Sequence, residues 1–330
     1  MRKACSLIMM FLFSAGLLPA QQVHTQYARL KGELRYGKGQ HDVFPYGERG
    51  YTLILPEGKP VLGTIVMLDD QKIDLQDTLK KQYIHIDKEA GPKGFAVLYI
   101  STGIPVDLYF SEASPAYVDQ TLQQVFAQFH LPPKNVFFLG AMVSGHRALK
   151  YLEFFKQGRS RFHAAITGVV LSESAIDWVR QWYECQKQVR DSLTAVRYFE
   201  GNFMTYLFQA NLKTTPASDI GAYLRFSPYS YFDTRMEKMK LYKDLAIRAY
   251  TYADTRYWFS APGNGVYDSN YPDMSGLINE QKLAGNKKAE LIVFHSNPGD
   301  PPARDMRRQA ATWDLVDKQE LISWMVGQCH

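Results

Sequence analysis

The sequence is poor in the features that define several large classes of protein. Beyond the first twenty residues we find no uninterrupted apolar run of about 18 residues, so we expect no membrane span there. Lys and Arg outnumber Asp and Glu by only 38 to 33, which gives a formal net charge of +5, and no basic stripe stands out. Nucleic-acid binding rests on such a stripe, so we expect no nucleic-acid partner.

Cysteine is equally scarce. Cys5 lies in the leading segment, and Cys185 and Cys329 are the other two cysteines. No Cys and His spacing resembles that of a structural zinc site, and we expect neither a metal nor a cofactor. The two later cysteines lie far apart in the sequence, which leaves open whether they form a disulfide.

The leading segment is typical of a secretory signal peptide. Arg2 and Lys3 form a short basic start, an apolar stretch too short for an ordinary membrane span follows, and small residues precede Gln21. We expect cleavage after Ala20, which leaves a mature domain of residues 21–330 that is secreted or periplasmic. An uncleaved anchor is the alternative. No cysteine follows the apolar stretch, so we do not expect a lipoprotein.

Strand signals alternate with helix signals along most of the chain. The apolar runs typical of strands are Tyr51–Leu55, Gly63–Leu68, Phe95–Thr102, Asn135–Gly140, Ala164–Ser172, Leu245–Tyr252 and Ala289–Phe294. Helix patterns lie between several of them, including one that begins at Ser114-Pro115, and an amphipathic pattern closes the chain at Val316–Gly327. This alternation predicts an α/β fold with a mostly parallel sheet and helices on both faces.

One segment interrupts this alternation. From Ile176 to about Thr234 the sequence has helix-like patterns, is rich in Tyr and Phe, and contains no clear strand. We interpret residues 176–234 as a helical insertion or cap packed over the carboxyl edge of the sheet.

The stretch from Asn135 to Tyr151 raises the functional question. An apolar run ends at Gly140, small residues follow, and a helix pattern begins. This is typical of the nucleophile elbow G-x-S-x-G, a strand–turn–helix whose tight turn demands small neighbours. Where the elbow carries its serine, this chain has Met142, and Ser144 occupies the place of the second glycine.

Besides the elbow, three further stretches contribute to a resemblance to a known family. They are Ala253–Phe259 after a late strand, Gly276–Ile292 leading into the last strand, and Ala310–Asp317 before the last helix. Together with the elbow they resemble a secreted bacterial branch of the α/β-hydrolase superfamily, of esterase and peptidase type, over most of the mature chain. The resemblance implies an α/β-hydrolase fold.

The resemblance also assigns the catalytic positions. It places the nucleophilic serine at Met142, the acid at Asp254 and the histidine at Ala311. A thioether cannot form an acyl-enzyme as an activated serine does, and an alanine cannot transfer a proton. Because triad members act as a unit, the resemblance implies a degenerate triad. Asp69-Asp70 lie where such enzymes tend to have a Gly-rich oxyanion loop, and negative charge there would oppose an oxyanion.

A relocated site is the alternative. Ser144, Asp254 and His295 could form it, since His295 directly follows the last strand, as hydrolase histidines do. Ser144 and His146 do not face each other on a helix. The structural interpretations compete with these: Met142 as a core residue of a tight turn in an unrelated fold, Ser144 as a small residue or helix cap, Asp254 as a loop residue, and His295 as a surface histidine.

We therefore expect an exported α/β-hydrolase-fold protein that is not an active serine hydrolase and acts by binding a ligand or partner. A small molecule, a peptide and a carbohydrate are all compatible with an aromatic cleft. Besides Met142, the predicted lining of a pocket over the elbow comprises Trp178, Trp182, Tyr183, Tyr257 and Trp258. The alternative is an active esterase or peptidase that uses the relocated residues.

Overall fold

The fold is built on one large β-sheet. A computed structural model describes residues 22–39, 42–76, 85–253, 263–295 and 308–330. In chain order the strands are β1 (Val23–Arg29), β2 (Glu33–Arg35), β3 (Val43–Pro45), β4 (Glu48–Ile54), β5 (Gly63–Asp69), β6 (Phe95–Ser101), β7 (Val136–Ala141), β8 (Ile166–Ser172), β9 (Ala246–Tyr252) and β10 (Ala289–Phe294).

Eight of these strands form the central sheet, in the spatial order β1-β4-β6-β5-β7-β8-β9-β10. The pairs β1–β4 and β4–β6 are antiparallel, and every later pair is parallel. The carboxyl ends of β5, β7, β8, β9 and β10 consequently meet at one edge of the sheet, which is where ligands bind in such folds. Strands β2 and β3 form a separate antiparallel pair.

The helices connect these strands. They are α1 (Asp87–Ala90), α2 (Ala113–Gln128), α3 (Val143–Lys156), α4 (Trp178–Asp191), α5 (Ala195–Leu212), α6 (Ile220–Phe226), α7 (Met239–Tyr242), α8 (Tyr271–Leu283), α9 (Arg308–Leu315) and α10 (Lys318–Gln328).

Hydrophobic layers cover both faces of the sheet. Val66 and Leu68 of β5 belong to the layer that contains α2, α3 and α8, whereas Ile65 and Met67 belong to the layer that contains α9 and α10. Successive residues of a strand point to opposite faces, so a strand buried on both sides must be apolar throughout. The mostly parallel sheet with helices on both faces confirms the predicted fold class.

Between β8 and β9 the chain is helical and contains α4, α5, α6 and α7. A third hydrophobic cluster holds α4, α5 and α6 together. It contains Trp178, Trp182, Phe208, Tyr223 and Phe226, together with Leu108 from the loop after β6. This cluster fixes the helical segment over the carboxyl edge of the sheet.

The described residues bear on membrane insertion and on disulfide pairing. Within the described residues, no helix combines the length and apolar character needed to cross a bilayer. Cys185 and Cys329 are both free thiols; Cys185 is buried and Cys329 is half-buried. The question of a disulfide is therefore answered: the two cysteines are not paired.

Candidate functional site

A sharp turn joins β7 to α3 at the carboxyl edge of the sheet. Met142 occupies the turn with φ 55° and ψ −125°, in the left-handed half of φ space that side chains rarely adopt. Its N–H donates to the Ser172 carbonyl at 2.8 Å, and its carbonyl accepts from the Gly145 N–H at 3.3 Å. The turn is thus held by the neighbouring strand β8 and by the first turn of α3.

Two glycines make this turn sterically possible. A Cβ on Gly140 would lie 2.3 Å from the backbone nitrogen of Gly145, and a Cβ on Gly145 would lie 1.9 Å from Oγ of Ser174. Both distances are far inside van der Waals contact. The small-residue requirement of an elbow therefore holds at this turn, with Met142 at its apex.

The carboxyl end of β5 lies beside the turn, with Asp69 as the last residue of the strand and Asp70 as the first residue of the following loop. Arg147, a buried residue of α3, forms ion pairs with Asp70 at 3.4 Å and with Asp69 at 3.7 Å, and its Nε donates to the Asp107 carbonyl at 2.6 Å. Burial, together with the adjacent Asp70, raises the pKa of Asp69 to about 6. Burial alone would raise the pKa of Asp70, but Arg147 together with the hydrogen bonds to Asp69 and to the Val106 N–H lowers that pKa. This loop therefore presents carboxylates, not the N–H donors that stabilise an oxyanion.

His146 has a structural role. Its side chain is fully buried, its Nε2 pairs with the Leu108 carbonyl at 2.8 Å, and Trp178 Nε1 donates to its Nδ1 at 2.9 Å. Burial and the nearby Lys150 hold its pKa well below the usual value, so it is neutral at pH 7. His146 thereby ties α3 to the loop after β6 and to the start of α4.

Of the three residues of the relocated site, the structure describes Ser144 and His295. Ser144 lies in the first turn of α3, and His295 lies directly after β10, where its Nδ1 pairs with the Ala253 carbonyl at 2.8 Å. Among the described residues no hydrogen bond joins Ser144 to His295. Asp254, the predicted acid of both arrangements, lies outside the described residues.

The predicted histidine position lies in a helix. Ala311 belongs to α9, the helix that precedes the closing helix α10. Its neighbour Thr312 is buried, and its Oγ1 donates to Glu173 at 3.2 Å. Because Glu173 directly follows β8, this contact places α9 at the carboxyl edge of the sheet.

Glu173 is the polar residue that sequence analysis missed. Its Oε1 accepts hydrogen bonds from Thr251 Oγ1 at 2.9 Å, from the Tyr252 N–H and from Thr312, whereas its Oε2 is buried and has no hydrogen bond within the described part of the chain. Burial raises the pKa of this carboxyl group to about 7, so the acid is partly protonated near neutral pH. An acidic residue at the carboxyl end of a predicted strand was the available signal.

A large cleft opens where α4 faces the segment 263–279. Its volume is about 1420 Å³. Tyr183, Tyr231, Phe232 and Tyr267 line it and leave much of their ring surface exposed. Such a concave surface with aromatic walls is a candidate ligand site.

A network of charged groups forms the floor of the cleft. Arg180 donates from Nε to Asp273 at 2.5 Å and from Nη1 to Glu184 at 2.9 Å. Asp273 also accepts the backbone N–H groups of Ile176 and Asp177. Burial raises the pKa of Glu184 to about 7 and that of Asp177 to about 6. The network fixes α4 against the start of α8.

The predicted pocket aromatics divide into three groups. Tyr183 lines the cleft. Trp178 and Trp182 are not among the residues that line it: they are buried and pack inside the third hydrophobic cluster, and their role in ligand binding stays a prediction. Tyr257 and Trp258 lie outside the described residues. Met142 is not among the residues that line this cleft.

Within the ranges that the structure describes, no group of three or more His, Cys, Asp or Glu side chains is arranged to hold a metal ion.

No protein-family model matches the chain, and no curated protein matches it in sequence. Solved structures do match. A carboxyl esterase of the fungus Tuber melanosporum has a TM-score of 0.53 and 13% identity over 94% of this chain and 88% of its own. An inhibited esterase B of Lactobacillus rhamnosis has a TM-score of 0.52 and 12% identity over 93% of this chain and 87% of its own.

A fluorophosphonate-binding serine hydrolase of Staphylococcus aureus, solved with substrate bound, is also similar. It has a TM-score of 0.50 and 15% identity over 93% of this chain and 98% of its own. At such identities the likeness concerns the fold alone. The chain has the α/β-hydrolase fold, as predicted.

Proposed function

We propose that this chain is an exported α/β-hydrolase-fold protein that has lost serine-hydrolase activity and acts by binding a ligand. The observation that carries the proposal is Met142 at the apex of the turn between β7 and α3, with φ 55° and ψ −125°. The backbone keeps a conformation that costs on the order of 1–3 kcal/mol, yet the side chain there is a thioether with no proton to give up.

The neighbouring loop supports the same conclusion. Asp69 ends β5 and Asp70 follows it, and Arg147 forms ion pairs with both. Hydrolysis of an ester or amide develops negative charge on the substrate oxygen, which needs donors at this place. Carboxylates there oppose that charge, so the loop and the turn disfavour the same reaction.

The likeness to esterases and serine hydrolases gives the competing function. An active enzyme of this fold would need a nucleophile other than residue 142, and Ser144 with His295 is the arrangement to test. Ser144 makes no hydrogen bond to His295 among the described residues, so no observation favours this alternative over binding.

Ligand binding finds its support in the cleft between α4 and residues 263–279. Its volume of about 1420 Å³ exceeds that of typical small-molecule sites, and exposed aromatic rings line it. The cleft lies close to the carboxyl edge of the sheet because Asp177, which lines it, follows β8 by only a few residues.

Ester and amide turnover tests the proposal. The purified protein is given 4-nitrophenyl acetate, 4-nitrophenyl butyrate and aminoacyl 4-nitroanilides, beside Ser144→Ala and His295→Ala. We expect all three proteins to show no turnover above buffer. Turnover that either substitution abolishes would establish the relocated site instead, and turnover that survives both would contradict both functions.

Export is tested separately. Expressed with its full leading segment in a bacterial host, the chain should appear outside the cytoplasm with Gln21 as its first residue. A cytoplasmic protein that retains Met1 would contradict export and leave the catalytic question untouched.

A further inference from the structure

The side chains that line the cleft between α4 and residues 263–279 indicate what kind of ligand it binds. Tyr231 and Tyr267 are 78% and 77% exposed, and Tyr183 and Phe232 are 51% and 44% exposed. Exposed aromatic rings gathered around one concave surface are unusual for a protein surface and mark a binding site.

Two of these rings form a corner. The Tyr231 and Phe232 rings lie 5.8 Å apart between centroids and are perpendicular, with an interplanar angle of 89°. Aromatic faces carry the negative part of the ring quadrupole. Exposed aromatic rings that line a cavity therefore attract a positively charged group, as aromatic cages do with ammonium ligands.

The charged side chains of the cleft also favour a positively charged ligand. Among the described residues that line it, Asp177, Glu184, Asp268 and Asp273 stand against two cations, Arg180 and Lys187, a formal excess of two negative charges.

Both cations are already engaged. Arg180 is held by Asp273, Glu184, Asn270 and the Tyr267 carbonyl. Arg180 is therefore not left to receive an anionic ligand.

Lys187 is also engaged by neighbouring groups, so it is not left to receive an anionic ligand either. Its Nζ pairs with Asp268 at 3.2 Å and with Asp191 at 3.4 Å, and it also donates to the Gly263 carbonyl.

An acceptor that has no donor among the described residues lies in the same wall. Oδ1 of Asn264, which lines the cleft, is buried and accepts no hydrogen bond among the described residues. A buried acceptor without a partner costs about 1–3 kcal/mol. A ligand rich in N–H groups is the kind of molecule that could relieve it, and ammonium and guanidinium groups carry donors only.

We propose that this cleft binds an organic cation, an ammonium or guanidinium group, between the rings of Tyr231, Phe232 and Tyr267. The inference rests on the proposed function, since it names the ligand class of a protein that acts by binding. The same cationic group could come from a free amine or from a Lys or Arg side chain of a peptide.

Calorimetric titration tests the ligand class with matched pairs of probes. Choline is compared with its uncharged isostere 3,3-dimethylbutanol, and N-acetylarginine amide with N-acetylcitrulline amide. The peptide Ala-Ala-Arg-Ala-Ala, beside its citrulline counterpart, distinguishes a peptide source from a free amine. We expect each cation to bind more tightly than its neutral partner, by about 3- to 30-fold for a desolvated cation–π contact.

Substitutions locate the site. Tyr231→Leu should weaken binding of the cations by about 3- to 30-fold, whereas Tyr231→Phe should keep it, because the phenyl face retains the quadrupole. The Tyr231 side chain is mostly exposed, so neither change should disturb the fold. Tyr198→Ala, which removes an exposed ring outside the cleft, is the control and should leave affinity unchanged.

Several results would overturn the inference. They are equal affinity for a cation and its neutral isostere, absence of binding to every cationic probe, binding of uncharged hexasaccharides in their place, and an equal effect of Tyr198→Ala and Tyr231→Leu. Ester turnover is measured on the same samples. A protein without turnover that ignores cations refutes this inference alone, whereas turnover refutes the proposed function.

Discussion

Replacement of Gly145 by alanine tests the geometry of the turn that carries Met142. The added Cβ would lie 1.9 Å from Oγ and 2.7 Å from Cβ of Ser174, and 3.1 Å from Cδ2 of Leu171. Overpacking of this kind costs about 1–3 kcal/mol, and alanine in a helix returns about 1 kcal/mol relative to glycine. The difference leaves a net cost centred on about 1 kcal/mol, by which we expect Gly145→Ala to lower the free energy of unfolding.

Ser174→Gly should rescue that variant. The substitution removes both atoms of the closest clash, and the Ser174 hydroxyl contributes little, since its contacts to the Gly140 and Ser172 carbonyls are long, at 3.5 Å and 3.4 Å. The double variant should therefore be more stable than the sum of the single effects predicts, by about 1–2 kcal/mol.

Gly140→Ala should resist rescue, because its Cβ would meet backbone atoms of Ser144 and Gly145 at 2.3–2.5 Å. Gly91→Ala is the control, since no atom lies within 4 Å of its added Cβ. Urea unfolding followed by tryptophan fluorescence measures all the variants. The reasoning is refuted if Gly145→Ala costs less than about 0.5 kcal/mol or if Ser174→Gly gives no coupling.

Two further predictions concern buried carboxylates. The pKa of Glu173 rises from 4.5 to about 7, so its contribution to stability is present below pH 4.5 and is lost as the pH rises to about 7. Glu173→Gln should abolish about 3 kcal/mol of that decline in urea unfolding between pH 4.5 and 8, and an unchanged pH profile would contradict this. Asp273→Asn should remove one of the two carboxylates paired with the buried Arg180, leaving Glu184 alone to compensate its charge, and should cost about 3 kcal/mol. Breaking the exposed pair Glu237–Lys240 with Glu237→Gln should have no measurable effect; equal losses in the two variants would count against the buried network.

The sequence predicts the buried strands well and the polar edge poorly. The strand predicted at Ala289–Phe294 coincides with β10, and the one at Gly63–Leu68 is a residue shorter than β5. Continuous apolar runs carry that signal. Strand β1, Val23–Arg29, was missed because it is an edge strand whose side chains are mostly exposed, so its sequence lacks an apolar run. The pair β2–β3 was missed because each strand has three residues, too few for an apolar run or an alternation to show.

The site is harder to predict than the fold because burial decides the role of each side chain. Trp178 and Tyr183 belong to one helix and to one aromatic pattern, yet Trp178 is buried against His146 while Tyr183 faces the cleft. Pattern alone cannot separate them, since aromatic residues serve packing and binding equally. Glu173 was missed although it directly follows a predicted strand. The turn at Met142 was recognised because steric crowding at an elbow restricts the residue types beside it.

Covalent labelling tests the central claim most directly. The purified protein and Ser144→Ala are incubated with a fluorophosphonate, with an active esterase of the same fold as positive control, and their intact masses are measured. We predict that neither form gains a phosphonyl group, because residue 142 provides no activated hydroxyl. A gain of one phosphonyl group by the unsubstituted protein would contradict the claim, and its loss in Ser144→Ala would identify Ser144 as the nucleophile.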